Sequence, residues 1–299
     1  FADDARGFVA YQEQIRATFD GGETWQAGTP LPSGHRVTTA SLPATDRYFV
    51  GTSRNNSDGS VFRSTDGGIG WTEVWGGLPM GTVTFYSVQF PTSSVGFAGG
   101  ATSNQQARLY RTTDGGATWQ QVATTGLGDA IRSMTWFDPQ TAVASLGVND
   151  PGIHRTVDGG ATWAPVHDQS FVKLTRKGAT EAMAVPLFGT AMFRTTDAGL
   201  TWEELKPPFS GPFPGMPDYV NAAAPTADGW ILGGSRNRLL VAIESGASGV
   251  AVDPSAPTPT SPLRLLTGPN PVYSKTSVFL YNDRPGRTRV DVHEAGGRR

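Results

Sequence analysis

Thr112-Thr113-Asp114-Gly115-Gly116-Ala117-Thr118-Trp119 is a turn in which almost every residue has a local use. Aspartate accepts hydrogen bonds from turn N–H groups, and glycine adopts φ > 0 at little steric cost. The strand pattern Arg108-Leu109-Tyr110-Arg111 precedes the turn, and the tryptophan after it can lay a large apolar face between neighbouring sheets. The same pattern recurs at Thr18 to Trp25 around Asp20, at Ser64 to Trp71 around Asp66, at Thr156 to Trp163 around Asp158, and at Thr195 to Trp202 around Asp197. Successive aspartates lie 46, 48, 44 and 39 residues apart, the length of one four-stranded propeller blade. The repeat unit is therefore a blade, and the expected fold is an all-β propeller.

Aligned on these turns, the blades end near Gly28, Gly76, Ala123, His167, Lys206 and Asp253. Six four-stranded blades are visible, and a seventh upstream is left open. The first is expected to lack its inner strand, because its second strand already falls at Gly7-Phe-Val-Ala-Tyr11. The sixth keeps the strand rhythm at Tyr219 to Ala224, Trp230 to Gly234 and Leu239 to Ile243, with Glu244 to Gly249 in place of the turn motif. Terminal repeats are commonly atypical. Composition agrees: 38 Gly and 22 Pro with only 37% hydrophobic residues suit many short strands joined by turns.

The 24 Lys plus Arg against 26 Asp plus Glu give a formal charge of −2, which offers no footprint for nucleic acid. With no cysteine, disulfides, thiolate metal sites and thiol nucleophiles are excluded. No apolar run approaches the roughly 18 residues that span a bilayer. The chain opens at Phe1 without Met or a signal-like region, as expected of a mature or truncated chain.

The [ST]xDxGxxW pattern resembles the Asp-box, or BNR, repeat of sialidases, family 74 glycoside hydrolases, sortilin-type receptors and photosystem II assembly factors. The resemblance covers most of residues 1–252. It implies a turn between the third and fourth strands of each blade, on the face opposite the usual ligand site. Asp20, Asp66, Asp114, Asp158 and Asp197, with Trp25, Trp71, Trp119, Trp163 and Trp202, are thus expected to be structural. The recurring Arg63, Arg111, Arg155 and Arg194 are read the same way.

Residues 253–262 carry four prolines and read as a semi-rigid linker. In 263–299, Pro269-Asn-Pro271, Thr276 to Tyr281, Arg289 to His293 and Gly296-Gly-Arg-Arg299 read as strand, turn, strand, turn. This partial Ig-like β-sandwich segment resembles the C-terminal sorting domain of type IX secretion cargo. The resemblance implies secretion machinery as a partner and a secreted or bacterial cell-surface location.

A ligand is expected on the face away from the boxes, where the loops between second and third strands and those after the fourth strand converge. Candidate binding residues there are Arg36, Arg54, Asp58, Trp75, Asp129, Arg132, Asp150, Asp168, Asp218, Tyr219, Arg236 and Arg238. No two form a recognisable catalytic motif. A sialidase would need three arginines for a carboxylate, a tyrosine nucleophile activated by Glu, and an acid/base Asp. Arg36, Arg132 and Arg236 with Tyr219, Asp129 and Asp218 supply parts of that set, but no Glu falls in these loops and no Arg-Ile-Pro stretch precedes the first blade. A family 74 hydrolase needs a cleft between two propellers. Asn55-Asn-Ser-Asp-Gly59 lacks the downstream Glu of a calcium loop, and His35, His154, His167 and His293 show no metal-ligand spacing. The expectation is a monomeric, non-catalytic propeller without metal or cofactor, binding a protein or glycan. A glycoside hydrolase and a photosystem-assembly-factor-like protein-binding scaffold stand as the alternatives.

Overall fold

The computed structural model describes residues 2–54, 59–75, 83–187, 192–205, 220–226, 229–234, 239–243 and 278–281. Within them it is all-β, with no helix. The chain is a β-propeller whose sheets follow one another in sequence. The first sheet has three strands, β1 (Gly7–Tyr11), β2 (Gln14–Thr18) and β3 (Gln26–Ala27). Its aspartate turn follows the second of them, so no strand occupies the inner position among the described residues. Four-stranded antiparallel sheets come next: β4 (His35–Ser41) to β7 (Thr72–Trp75), β8 (Thr84–Gln89) to β11 (Gln120–Val122), β12 (Ile131–Trp136) to β15 (Ala164–His167), and β16 (Phe171–Lys177) to β19 (Glu203–Leu205). The outer strands end at Ala27, Trp75, Val122, His167 and Leu205, each within one residue of the blade ends read from the repeat.

The last sheet contains β20 (Val220–Thr226), β21 (Gly229–Gly234) and β22 (Leu239–Ile243). Its fourth strand is β23 (Val278–Tyr281), which pairs in parallel with β22. By sequence that segment belongs to the tail module; here it lies on the free edge of the last blade. A run of alternating aliphatic and aromatic residues can satisfy its ladder on an edge that is unpaired. The linker 253–262 and the rest of the tail lie outside the described residues.

Each repeated turn closes by the same local bonds. Thr112 Oγ1 donates to Asp114 Oδ1 (2.7 Å) and accepts from Gly116 N (2.9 Å). Asp114 also accepts from Ala117 N, Thr118 N and the Thr118 hydroxyl. The other turns repeat this scheme, except that in the second Gly70 N takes the place of the threonine hydroxyl, and in three of them Trp25, Trp71 and Trp163 donate Nε1–H to the carbonyls of Gly22, Gly68 and Gly160. These bonds favour the charged carboxylate and hold Asp20, Asp158 and Asp197 near a pKa of about 2. In the fifth turn Ala198 takes the first glycine position at φ +57°.

The cores lie between consecutive sheets. Phe49 and Val61 of one blade meet Phe85, Phe90 and Tyr110 of the next, and Phe97 stacks on Trp136 across the following junction. Arg155 Nε donates to Ala198 O of the next blade's turn (2.9 Å), so this recurring arginine ties a third strand to its neighbour. Around the axis, hydroxyls of one inner strand accept backbone N–H groups of the next: Thr39 from Val88, Ser87 from Met134, and Ser133 from Leu174. Each hydroxyl follows a register shift in its strand. The shift leaves one residue out of the ladder and bends the strand around the axis.

Candidate functional site

Alternation of loops puts the aspartate turns on one face and the connections 102–106, 123–130, 147–152 and 168–170 on the other. Of the sequence-derived candidates, Asp58, Asp218, Tyr219, Arg236 and Arg238 lie outside the described residues. Arg36 and Arg54 are exposed at the top of β4 and β5 (Tyr48–Arg54), but Arg36 pairs with Ser53 and Arg54 with His35. With side chains alternating along a strand, the two guanidinium groups leave opposite faces of the sheet. They form no pair.

Trp75 is half-buried between blades, its ring 4.2 Å from Tyr110 and 4.9 Å from Phe85. Its contacts are those of a packing residue. Asp129 is 2% exposed. Its Oδ1 accepts from Ala130 N (2.6 Å) and its Oδ2 from Asn149 N (2.8 Å). Asp150 returns the arrangement, accepting from Gly128 N at 2.7 Å. Two aspartates thus clasp the loops 123–130 and 147–152 to each other, each satisfying N–H groups that no strand reaches. Arg132 is held as well, donating to Gln105 Oε1 (2.9 Å) while its guanidinium lies 4.9 Å from the centre of the Tyr86 ring.

The clasp shapes an open cleft of about 500 Å³ lined by Asp150, Pro151, His154, Pro165, Val166, His167 and Asp168. Asp168 is fully exposed at its rim. His154 is buried, with Nε2 3.7 Å from Asp150 Oδ2 and Nδ1 without a hydrogen-bond partner. Burial pushes its pKa below the ordinary histidine value, against the opposing pull of Asp150. His167 is also lowered by burial; its Nδ1 accepts from Gln169 N and its ring meets Phe171 and Phe193 edge-on.

Sequence reasoning placed His167 in a top-face loop but not His154, and the repeat carried a signal for both. Four residues before the aspartate, three of the other four blades place Phe62, Tyr110 and Phe193 where this one places His154, and the first places Arg16. Nine residues after it, His167 stands where Trp75 stands two blades earlier. Both imidazoles therefore occupy aromatic packing positions and bring polar nitrogens to one cleft. Among the described residues no group of three or more His, Cys, Asp or Glu is placed to hold a metal ion. No helix there is long and apolar enough to cross a membrane.

No protein-family model and no curated protein matches the chain. Solved structures do. YCF48 bound to D1 peptide aligns with a TM-score of 0.58 at 18% identity, over 80% of this chain and 74% of that one. YCF48 from Cyanidioschyzon merolae aligns at TM-score 0.47 and 16% identity, over 76% and 88% of the two chains. The GH74 enzyme of Niastella koreensis aligns at 0.48 and 18%, over 69% of this chain and 37% of its own. With the sheet order above, the similarity to the peptide-bound structure places this chain among the β-propellers.

Proposed function

We propose that this chain is a non-catalytic, secreted or cell-surface propeller of Asp-box type that binds a protein or glycan through its top-face loops. The observation that carries the reading is the clasped cleft of blade four. Asp129 and Asp150 fix the loops in advance, so a ligand meets a site whose ordering cost is largely met by folding. Pro151, Pro165 and Val166 supply an apolar wall, and Asp150 and Asp168 flank it with acceptors. That combination suits an extended peptide with a basic side chain. The fold neighbour solved with a peptide supports a protein partner over a small metabolite. Asp129 speaks against acid/base work, since backbone N–H groups already engage both its oxygens.

Export through the tail belongs to the same proposal. It is supported by the Pro269-Asn-Pro271 and Gly296-Gly-Arg-Arg299 pattern.

The test is a binding screen of the whole chain against displayed peptides, surface proteins and glycans. Asp168→Ala and the paired Asp150→Asn are expected to weaken a hit at least several-fold. Turnover of a sialoside or glucan by the wild type, with no hit in the screen, overturns the binding reading. In a type IX-competent host, export unaffected by removal of 263–299 overturns the sorting part alone.

A further inference from the structure

The five inner strands carry Arg36, Arg132, Lys173, Arg176 and Lys177 and not one Asp or Glu, in a chain whose net charge is −2. The inner strands are thus one-sided in charge. Most are engaged: Arg176 donates to the carbonyls of Trp136 and Phe137, Arg132 is bonded to Gln105, and Lys177 lies over the Trp230 ring. Arg36 sits in solvent at the mouth.

Lys173 is different. It follows a register shift in β16 between Phe171 and Lys173, the position that holds Thr39, Ser87 and Ser133 in the three preceding blades. There the hydroxyl closes onto the next strand; a lysine cannot accept such a bond. The side chain is reached by solvent, yet the surrounding strands are close enough to desolvate the ammonium and lower its pKa. No carboxylate or carbonyl partners it among the described residues. The Ser133–Leu174 bond also sets Arg132 and Lys173, each one residue earlier, at one level on adjacent strands.

An ammonium with no carboxylate partner among the described residues, on inner strands that carry cations and no Asp or Glu, attracts ions of the opposite sign. We propose that the propeller axis at Lys173 is a binding site for an oxyanion, a phosphoryl or carboxylate group, with the Lys173 ammonium as its principal donor. The site is separate from the cleft of blade four.

Calorimetric titration of the whole chain with inorganic phosphate, and separately with citrate, tests this. At least one is expected to bind. Lys173→Met should then weaken it roughly ten- to hundredfold, the loss of one charge-assisted hydrogen bond, while Lys173→Arg stays within a few-fold. Asp168→Ala in the cleft should leave anion binding unchanged. Phosphate alone assigns a phosphoryl ligand and citrate alone a carboxylate. As a readout independent of the variants, the methylated Lys173 resonance should titrate at higher pH when the anion is present. Neither anion binding at millimolar concentration, or Lys173→Met binding as tightly as wild type, overturns the proposal.

Discussion

Gly199→Ala tests whether the repeated turn is fixed by backbone conformation alone or also by the blade behind it. Gly199 sits at φ +81°, where an L residue costs about 1–2 kcal/mol. A Cβ there would lie 2.2 Å from Val143 Cγ1. Val143 is fully buried beside Phe137, Ile153 and Phe171, so it cannot swing away, and overpacking adds about 1–3 kcal/mol. Restricting the unfolded chain returns about 0.4–1 kcal/mol. The net expected loss is about 2–4 kcal/mol. Gly178 is the matched control: its φ is +77° and nothing lies within 4 Å of its would-be Cβ. Gly178→Ala should lose only about 0.5–1 kcal/mol. Urea denaturation followed by tryptophan fluorescence gives both values from the midpoints at constant slope. Adding Val143→Ala to Gly199→Ala should recover part of the loss, with a coupling of about 1 kcal/mol or more. Equal losses at Gly178 and Gly199, or strict additivity with Val143→Ala, would refute the steric reasoning.

The turn aspartates have folded pKa values below the unfolded one, so the stability they contribute is present above about pH 4 and is lost as pH falls through about 2. A melting temperature that stays flat from pH 4 down to 2 contradicts this. His154→Phe restores the aromatic found in three other blades and removes a buried unsatisfied nitrogen, a gain of about 1 kcal/mol. Because burial lowers the His154 pKa, wild-type stability should decline as pH drops below about 6.5. The variant should show a shallower decline in melts from pH 5 to 8. Asp129→Ala strands the Ala130 and Asn149 N–H groups and should cost about 2–3 kcal/mol, against under about 0.5 kcal/mol for exposed Asp168→Ala; denaturant midpoints compare the two directly.

Much of the fold was legible because the repeat is closed by short-range bonds. Asp114 bonds only to residues within four positions of itself, so its partners stand in the same eight letters. That the first sheet's described strands leave out the inner position was legible too, from counting strands back from Asp20. The candidate site was far less so. Asp129 and Asp168 look equivalent as loop aspartates, yet one is sealed in a clasp with a residue 20 positions away and the other stands in water. Trp75 looked like an exposed loop aromatic and packs against a strand of the next blade.

From sequence alone come the all-β propeller, the blade spacing and the turn residues, since hydrogen bonds spanning two to four positions and a period of 39 to 48 residues can be read along the chain. Only the tertiary structure decides that Asp129 and Asp150 brace a cleft, that His154 and His167 bring polar nitrogens to it, and that Lys173 has no carboxylate partner among the described residues. Those facts depend on contacts between blades and between loops, where burial and the identity of a distant neighbour set what a side chain can do.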